Sequence, residues 1–234
     1  MKRNSNRRIV LLGPPGAGKG TQGKLLGNAL GLKHIASGDL VRHHQASKTR
    51  LGLESAEYYL KGLLVPDNIT INIVLPSVLN TDSGFILDGF PRNTNQAQQL
   101  DEALYNISTS IDTALLISVP KEEMVKRLSN RRVCAQCSKV YHLRNAPPKI
   151  SGRCDICPGQ LYQRDDDIPL TIETRINAYY DATHERVGPL ADYYREQNKL
   201  IEVDGIGPVE TIHHRILDIV RYANKMLADF KGTI

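Results

Sequence analysis

Short runs of aliphatic and β-branched residues alternate along the chain with longer segments in which apolar residues recur at helical spacing. The short runs predict five strands, at residues 8–13, 34–36, 84–88, 113–119 and 200–204. Toward the carboxyl end the spacing predicts helices over 170–187, 188–198 and 209–230, the last of them amphipathic. Because strands that alternate with helices are typical of βαβ units, the sequence predicts an α/β fold with a five-stranded parallel sheet.

Two segments interrupt this alternation. Residues 36–81 carry leucines at helical spacing and then Pro66-Asp67, which predicts two or three helices in a small insertion. Residues 130–167 lose periodicity and are rich in Cys, Pro, Gly and Arg. We therefore expect a second insertion there, held together by something other than a hydrophobic core.

The composition narrows the class of protein. Of 234 residues, 41% are hydrophobic and 24% are charged, which excludes a disordered chain. No apolar run approaches the roughly 18 residues of a membrane span, and the first apolar stretch is too short for the core of a signal peptide. We therefore expect a cytoplasmic protein. The net charge of +5 predicts an anionic partner without distinguishing nucleic acid, lipid or nucleotide.

Residues 8–21, RIVLLGPPGAGKGT, join an apolar strand to a glycine-rich turn and the start of a helix. In such a turn the backbone N–H groups and the helix N-terminus converge on one point, which makes an anion site. Glycines let the backbone approach phosphate oxygens closely, and Lys19 supplies a positive charge for the phosphoryl group. One position departs from the usual phosphate-loop pattern. Gly20 follows the lysine where a Ser or Thr hydroxyl ordinarily binds magnesium, and Thr21 comes next.

The four cysteines form two C-x-x-C pairs, Cys134 with Cys137 and Cys154 with Cys157. Pairs at this separation are typical of a structural zinc site, in which four thiolates surround the ion and leave no open coordination position. Two disulfides, a redox pair and unligated thiols are the alternatives, of which disulfides fit a cytosolic chain poorly. Bound zinc would also explain how an insertion without a hydrophobic core stays folded.

Three motifs occur in order along the chain. GPPGAGKGT at 13–21, SGDLVR at 37–42 and DGFPR at 88–92, followed by Gln96, resemble the adenylate kinase family of nucleoside monophosphate kinases, and the similarity covers nearly the whole chain. The cysteine-bearing insertion resembles the long lid of zinc-binding bacterial members. The resemblance implies a P-loop NTPase-like core (1–35, 66–129 and 168–234), a helical insertion that binds the nucleoside monophosphate (36–65) and a lid with the zinc site (130–167). It also implies reversible Mg²⁺-dependent transfer of the terminal phosphoryl group of ATP to AMP, which gives two ADP and maintains adenine nucleotide balance.

Phosphoryl transfer between two polyphosphates requires several cations, because the substrates repel each other and charge develops on the transferred group. Arginine suits this role, since its planar fork binds phosphate at two points and stays charged. Arg127 and Arg131 lie four residues apart, on what the pattern predicts to be one face of a helix. The resemblance implies that the catalytic residues are Lys19, Asp88, Arg92, Arg127, Arg131, Arg164 and Arg175. Asp88 would hold magnesium through its water shell, unless it only caps a helix or turn.

The resemblance also divides the binding residues between two nucleotides. For ATP it implies Gly16, Ala17, Gly18, Lys19, Gly20, Thr21, Arg127, Arg131, Val140, Tyr141 and Gly207, of which Val140 and Tyr141 would cover the adenine. For AMP it implies Ser37, Arg42, Leu63, Leu64, Val65, Gly89, Phe90, Pro91, Arg92, Gln96, Arg164 and Arg175, with the Gln96 amide pairing with the base. Asp166 and Asp167 fit either a supporting role on the lid side or caps for the helix near Pro169.

Two other functions stay open at this point. One is a kinase of the same class that takes another monophosphate, or GTP as donor. The other is a zinc-ribbon NTPase that binds nucleic acid, which the positive charge and the cysteines favour but DGFPR with Gln96 disfavours. The preferred interpretation has ATP, AMP and ADP as partners and Mg²⁺ and structural Zn²⁺ as metals. It predicts a monomer with no nucleic-acid or membrane partner.

Overall fold

The computed structural model describes residues 7–61, 63–182 and 188–231. Its strands are β1 (Arg8–Leu12), β2 (Lys33–Ala36), β3 (Phe85–Asp88), β4 (Thr113–Ser118), β5 (Arg131–Cys134), β6 (Val140–His142), β7 (Leu161–Tyr162) and β8 (Leu200–Asp204). Its α-helices are α1 (Lys19–Leu30), α2 (Ser37–Ala46), α3 (Arg50–Leu60), α4 (Asp67–Leu79), α5 (Thr94–Tyr105), α6 (Lys121–Ser129), α7 (Pro169–Ala182), α8 (Gly188–Glu196) and α9 (Val209–Lys231), and a 3-10 turn spans Asp165–Asp167. Within these residues no helix is both long enough and apolar enough to cross a membrane.

Five strands form one parallel sheet in the order β2-β3-β1-β4-β8, which confirms the predicted α/β class. The carboxyl ends of parallel strands meet at one edge of the sheet, where such folds bind ligands. The register sets Ala36 beside Asp88, so the ends of β2 and β3 lie together at this edge. Because β1 lies between β3 and β4, the phosphate loop leaves the sheet near the middle of the same edge.

Helices cover both faces of the parallel sheet. Along β1, Ile9 and Leu11 pack into one hydrophobic cluster with residues of α1 and α9. Val10 and Leu12 pack into a second cluster with residues of α4, α5 and α8. The division follows from the alternation of successive side chains between the two faces of a strand. The strand is apolar throughout because both of its faces are buried.

Two smaller units accompany the parallel sheet. Helices α2 and α3 pack very closely, since a Cβ at Gly52 would lie 2.1 Å from the His44 carbonyl oxygen. Strands β5, β6 and β7 form an antiparallel three-stranded sheet in the order β6-β5-β7. This sheet lies in the segment where the sequence loses its hydrophobic periodicity.

The structure corrects one prediction and limits another. Arg131 is the first residue of β5, because α6 ends at Ser129. The prediction that Arg127 and Arg131 share one face of a helix is therefore wrong. The helix predicted over 170–187 is described as far as Ala182, and residues 183–187 lie outside the described residues.

Candidate functional site

A cavity of about 790 Å³ lies at the carboxyl edge of the parallel sheet. The ends of β1, β2 and β3 reach it through Leu12, Ala36 and Asp88. Helices α2 and α7 and the three-stranded sheet contribute further residues to its wall. The predicted site residues that line it are Gly16, Ala17, Gly18, Lys19, Gly20, Thr21, Ser37, Arg42, Leu63, Leu64, Val65, Asp88, Gly89, Pro91, Arg92, Arg127, Arg131, Val140, Tyr141, Arg164, Arg175 and Gly207.

Two residues predicted for the monophosphate site lie outside this cavity. Phe90 is fully buried in the hydrophobic cluster that contains Val10. Gln96 lines a smaller cavity of about 320 Å³. Leu64, Val65 and Arg92 line both cavities, so the smaller one adjoins the larger.

The phosphate loop has the backbone conformation that its glycines allow. Gly16 and Gly18 have φ values of 80° and 95°, which residues other than glycine rarely adopt. Helix α1 begins directly after the loop, at Lys19. The Lys19 ammonium donates to the carbonyl oxygens of Gly13, at 2.8 Å, and Pro14, at 2.9 Å. The loop backbone therefore holds this cation at the wall of the cavity.

The charges around Lys19 are unusually concentrated. Burial lowers the pKa of Lys19 to about 8; Asp88 acts in the opposite sense, while Arg92, Arg175 and Arg131 lower the pKa further. Cations that destabilise one another in this way are stabilised by a polyanionic ligand. The electrostatics therefore favour a site for phosphate groups.

The Asp88 carboxylate faces the loop position that lacks the usual hydroxyl. A Cβ at Gly20 would lie 3.2 Å from Asp88 Oδ2, so a larger residue at this position would crowd the carboxylate. Burial by itself would raise the pKa of Asp88, but the His34 ring, Lys19 and Arg92 outweigh it and hold the pKa below its ordinary value. Asp88 is therefore ionised at neutral pH, as a carboxylate that holds magnesium must be.

His34 lines the cavity although no sequence motif marks it. Its Nε2 lies 3.7 Å from Asp88 Oδ2. A single histidine in a short strand matches no motif. The one feature of the sequence that indicates a place near the site is its position two residues before the end of β2, the strand paired with β3.

Arg131 and Arg175 share one buried carboxylate. Arg131 donates through Nε and Nη2 to the two oxygens of Asp167, each at 2.6 Å. Arg175 Nη1 lies 3.0 Å from Asp167 Oδ1 and 3.0 Å from Asp166 Oδ2. The Asp167 side chain is 0% exposed. The two guanidinium groups are thus held close together although their positions are 44 residues apart in the sequence.

The backbone orients two further arginines of the cavity. Arg127 Nη2 donates to the Gly205 carbonyl oxygen at 2.8 Å. Arg92 Nε donates to the Gly89 carbonyl oxygen at 2.8 Å. These contacts restrict the long side chains and reduce the entropy that a ligand would otherwise remove on binding.

The Gln96 amide has a defined orientation. Its side chain is 2% exposed, its Nε2 donates to Asp67 Oδ1 at 2.7 Å and its Oε1 accepts from the Arg92 N–H at 2.8 Å. The side-chain amides of Asn93 and Asn95 donate to the same carboxylate. Asp67 and the Arg92 N–H therefore fix together which way the Gln96 amide points. The sequence indicated Asp67 only as part of a helix start.

The four cysteine Sγ atoms lie within 4.8 Å of one another. Cys134 and Cys157 are 3.4 Å apart at sulfur, and Cys137 and Cys154 are 3.6 Å apart. These distances exceed the ~2.05 Å of a disulfide bond. They approach the edge of about 3.8 Å that a tetrahedron with metal–sulfur distances of ~2.3 Å would have. The donor set therefore fits the metal site that the spacing predicts.

Tyr141 connects this cysteine cluster to the cavity. Its hydroxyl lies 3.3 Å from Cys154 Sγ, and this contact, together with the backbone N–H groups of Ile156 and Cys157, lowers the pKa of Cys154 to about 6. Tyr141 also lines the cavity. The sequence assigned Tyr141 to a nucleotide alone, because no local pattern relates it to a cysteine 13 residues away.

Comparisons with known proteins find relatives over most of the chain. A family model described as Adenylate kinase matches residues 11–199. The adenylate kinase of Clostridium botulinum (strain Loch Maree / Type A3) is 44% identical over 215 residues, which cover 91% of this chain and 98% of the relative. That of Salinispora tropica is 45% identical over 216 residues, 92% of this chain and 98% of the relative. That of Thermosipho africanus is 43% identical over 215 residues, 91% of this chain and 99% of the relative.

Proposed function

The chain belongs to the adenylate kinase family, and from this membership we propose that it transfers the terminal phosphoryl group of ATP to AMP, reversibly, to give two ADP. The observation that carries the proposal is the cavity itself. It brings the phosphate loop together with arginines from widely separated parts of the chain. A site for one nucleotide would need fewer cations than a site in which two phosphate chains meet.

The reaction requires little covalent work from the protein. The phosphate loop and Lys19 would hold the donor phosphates, and the arginines would neutralise charge on the transferred group. Because Asp167 already holds Arg131 and Arg175 close together, these two side chains need little reorganisation when charge develops. The Lys19 ammonium would exchange its contacts with loop carbonyls for contacts with phosphate oxygens.

The second nucleotide would lie toward α2 and the smaller cavity. Arg42 and Arg92 line the larger cavity on this side and would bind the phosphate of AMP. Gln96 would recognise the base from the adjoining cavity, with an amide orientation that Asp67 and the Arg92 N–H fix. Because a buried amide with a fixed orientation accepts only a matching pattern of donors and acceptors, this arrangement supports selection among bases.

Residues 130–167 would act as a lid over the donor. This segment supplies Arg131, Tyr141 and Arg164 to the cavity wall. A lid that covers the phosphates excludes water, which would otherwise compete with AMP as the acceptor. The other divisions of the chain, the cytoplasmic location and the monomeric state remain predictions from the sequence.

Two metal ions belong to the proposal. Cys134, Cys137, Cys154 and Cys157 would hold Zn²⁺, which supplies a cross-link that stabilises the small sheet and takes no part in the chemistry. Asp88 would hold the Mg²⁺ of the nucleotide through water, and that ion supplies charge neutralisation on the phosphates. The ionised state of Asp88 and the narrow space at Gly20 support this assignment.

Incubation of the pure protein with Mg²⁺ and ADP alone tests the proposed function. We expect ATP and AMP to appear in equal amounts, and the Lys19→Met variant to lose at least about 100-fold in rate because the transferred group loses its cation. Lys33→Met is the matched control, since Lys33 is exposed and bonds to Thr81. Failure of the wild-type protein to form ATP and AMP from ADP would contradict the proposal. Repeating the assay with GDP, UDP or CDP distinguishes the other kinases of this class.

A further inference from the structure

Tyr141 lines the nucleotide cavity and also contacts the cysteine cluster. Its hydroxyl oxygen lies 3.3 Å from Cys154 Sγ and accepts a hydrogen bond of 2.7 Å from the Asp155 N–H. The residue is only 3% exposed. The Lys139 ammonium lies 5.1 Å from the centroid of the Tyr141 ring. Both ends of the side chain are therefore held.

The hydrogen-bonding capacity of the hydroxyl defines its role toward the sulfur. A phenol has one proton to donate and can accept from a second group. The Asp155 N–H donates to the oxygen, and Cys154 has no proton to donate when it binds a metal as a thiolate, so the phenolic proton is then directed to Cys154 Sγ. A thiolate that binds a metal is a good acceptor for such a proton, and groups of this kind fix the orientation of a metal ligand.

The backbone reinforces this link between the two sites. Tyr141 pairs with Arg132 in the ladder between β6 and β5, and β5 ends at Cys134. The Cys134 N–H donates to the Lys139 carbonyl oxygen at 2.9 Å. Tyr141 is thus attached to one C-x-x-C pair through the strands and to the other through its hydroxyl. A displacement of either pair would move Tyr141 in the cavity wall.

We propose that Tyr141 is a positioning residue through which metal binding and nucleotide binding favour each other. The ordered cluster holds the ring in the orientation that the nucleotide contacts, and a nucleotide against the ring holds Cys154 where the metal needs it. The inference rests on the proposed function, because the nucleotide is the ligand of that site. Coupling between two sites is reciprocal, so it is measurable from either side.

The zinc affinity of the whole protein measures the coupling. Zinc is titrated in competition with a chromogenic chelator, with and without saturating adenylyl imidodiphosphate and Mg²⁺. For the wild-type protein we expect the nucleotide analogue to raise the zinc affinity about tenfold, within the range usual for coupled sites. The removal of zinc should weaken binding of the analogue by the same factor.

Tyr141→Phe removes the hydroxyl and keeps the ring. We expect this variant to lose about tenfold in zinc affinity, as is usual when a group that supports a metal ligand is removed. The effect of the analogue on zinc affinity should fall to within about twofold of none. Tyr162→Phe is the matched control, since Tyr162 is an exposed tyrosine of the same small sheet outside the cavity lining. It should keep the wild-type coupling.

Three results bear on the inference in different ways. Undiminished coupling in Tyr141→Phe would overturn it. Equal zinc affinity of the wild-type protein with and without the analogue would also overturn it, and this measurement does not depend on whether any variant folds. In both cases the ADP assay would still report the proposed function. A wild-type protein that forms no ATP from ADP would overturn the proposed function and the inference together.

Discussion

The Asp167 carboxylate accepts both prongs of the Arg131 guanidinium, at 2.6 Å each, in a place where the carboxylate has no exposure to solvent. The same carboxylate lies 3.0 Å from Arg175. A buried charge is tolerated only when it is paired, so this carboxylate is stable because two cations surround it. Conversely, the cations stay close together at the cavity because the carboxylate lies between them.

Removal of the Asp167 charge should therefore affect both folding and activity. In Asp167→Asn two arginines face each other without the shared anion, which we expect to lower the free energy of unfolding by about 3 kcal/mol. Phosphoryl transfer should fall at least tenfold, because Arg131 and Arg175 are no longer aligned. Urea denaturation and the ADP assay measure the two effects. Asp165→Asn, an exposed position of the same turn, should match the wild type in both. Equal stability of Asp167→Asn and the wild type would show that the Asp167 charge makes no net contribution to the free energy of unfolding.

The lowered pKa of Lys19 predicts a pH dependence of nucleotide binding. The free protein has a Lys19 pKa of about 8, and bound phosphates raise it because they favour the charged form. Affinity for MgATP should thus be constant below pH 8 and fall by up to about tenfold per pH unit above it. Binding at pH 8.5 to 9 should take up a proton. Calorimetry in buffers of different ionisation enthalpy measures that uptake.

A Lys19→Arg variant provides the control for this titration. Its guanidinium stays charged throughout, so binding should take up no proton at pH 8.5 to 9. Proton uptake of the same size in Lys19→Arg would assign the titration to another group.

Gly159 lies against the cysteine cluster, and a side chain there should weaken metal binding. A Cβ at this position would lie 2.6 Å from Cys134 Sγ and 2.9 Å from Gln136 Cβ. Since neither neighbour can move without distorting the cluster, we expect Gly159→Ala to lose about tenfold or more in zinc affinity. The temperature of unfolding in the presence of zinc should fall. Metal analysis and calorimetry report the two effects.

Gly152→Ala is the comparison for Gly159. A Cβ at Gly152 would meet nothing within 4 Å, but the φ of 74° carries a cost in backbone strain. It should therefore lose some stability and keep its zinc affinity. If Gly152→Ala lost as much zinc affinity as Gly159→Ala, the contact with Cys134 would not explain the loss, because a substitution elsewhere in the segment would have the same effect.

Asp67 should influence the choice of acceptor base through Gln96. In Asp67→Ala the Gln96 amide loses its partner at Nε2 and keeps only the Arg92 N–H at Oε1, so its orientation is held less firmly. We expect the preference for AMP over IMP and GMP, measured as the ratio of kcat/KM values, to fall about tenfold. Asn95→Ala removes a different donor to the same carboxylate and should leave the preference unchanged. An unaltered preference in Asp67→Ala would mean that Asp67 supports the helix start alone.

Local patterns were sufficient for the features that depend on neighbours in the chain. The apolar run of β1, the glycines after it and Lys19 at the start of α1 follow one another directly, so their structure is set by short-range geometry. The two C-x-x-C pairs likewise predicted a cluster of four sulfurs, which the structure confirms. In both cases a short motif, a single loop or a repeated C-x-x-C pair, is sufficient to predict the feature.

Contacts between distant segments were decided by the tertiary structure. The chain leaves α6 before Arg131, and only the tertiary structure brings that arginine to Asp167 in the 3-10 turn. The Gln96 amide donates to Asp67, 29 positions earlier, and the Tyr141 hydroxyl contacts Cys154. A hydrogen bond between residues far apart leaves no periodic pattern, because its geometry is a property of how the elements pack. The sequence alone therefore determined the fold class, the phosphate loop and the chemistry of the cysteines, while tertiary packing decided how each cation, amide and ring is held.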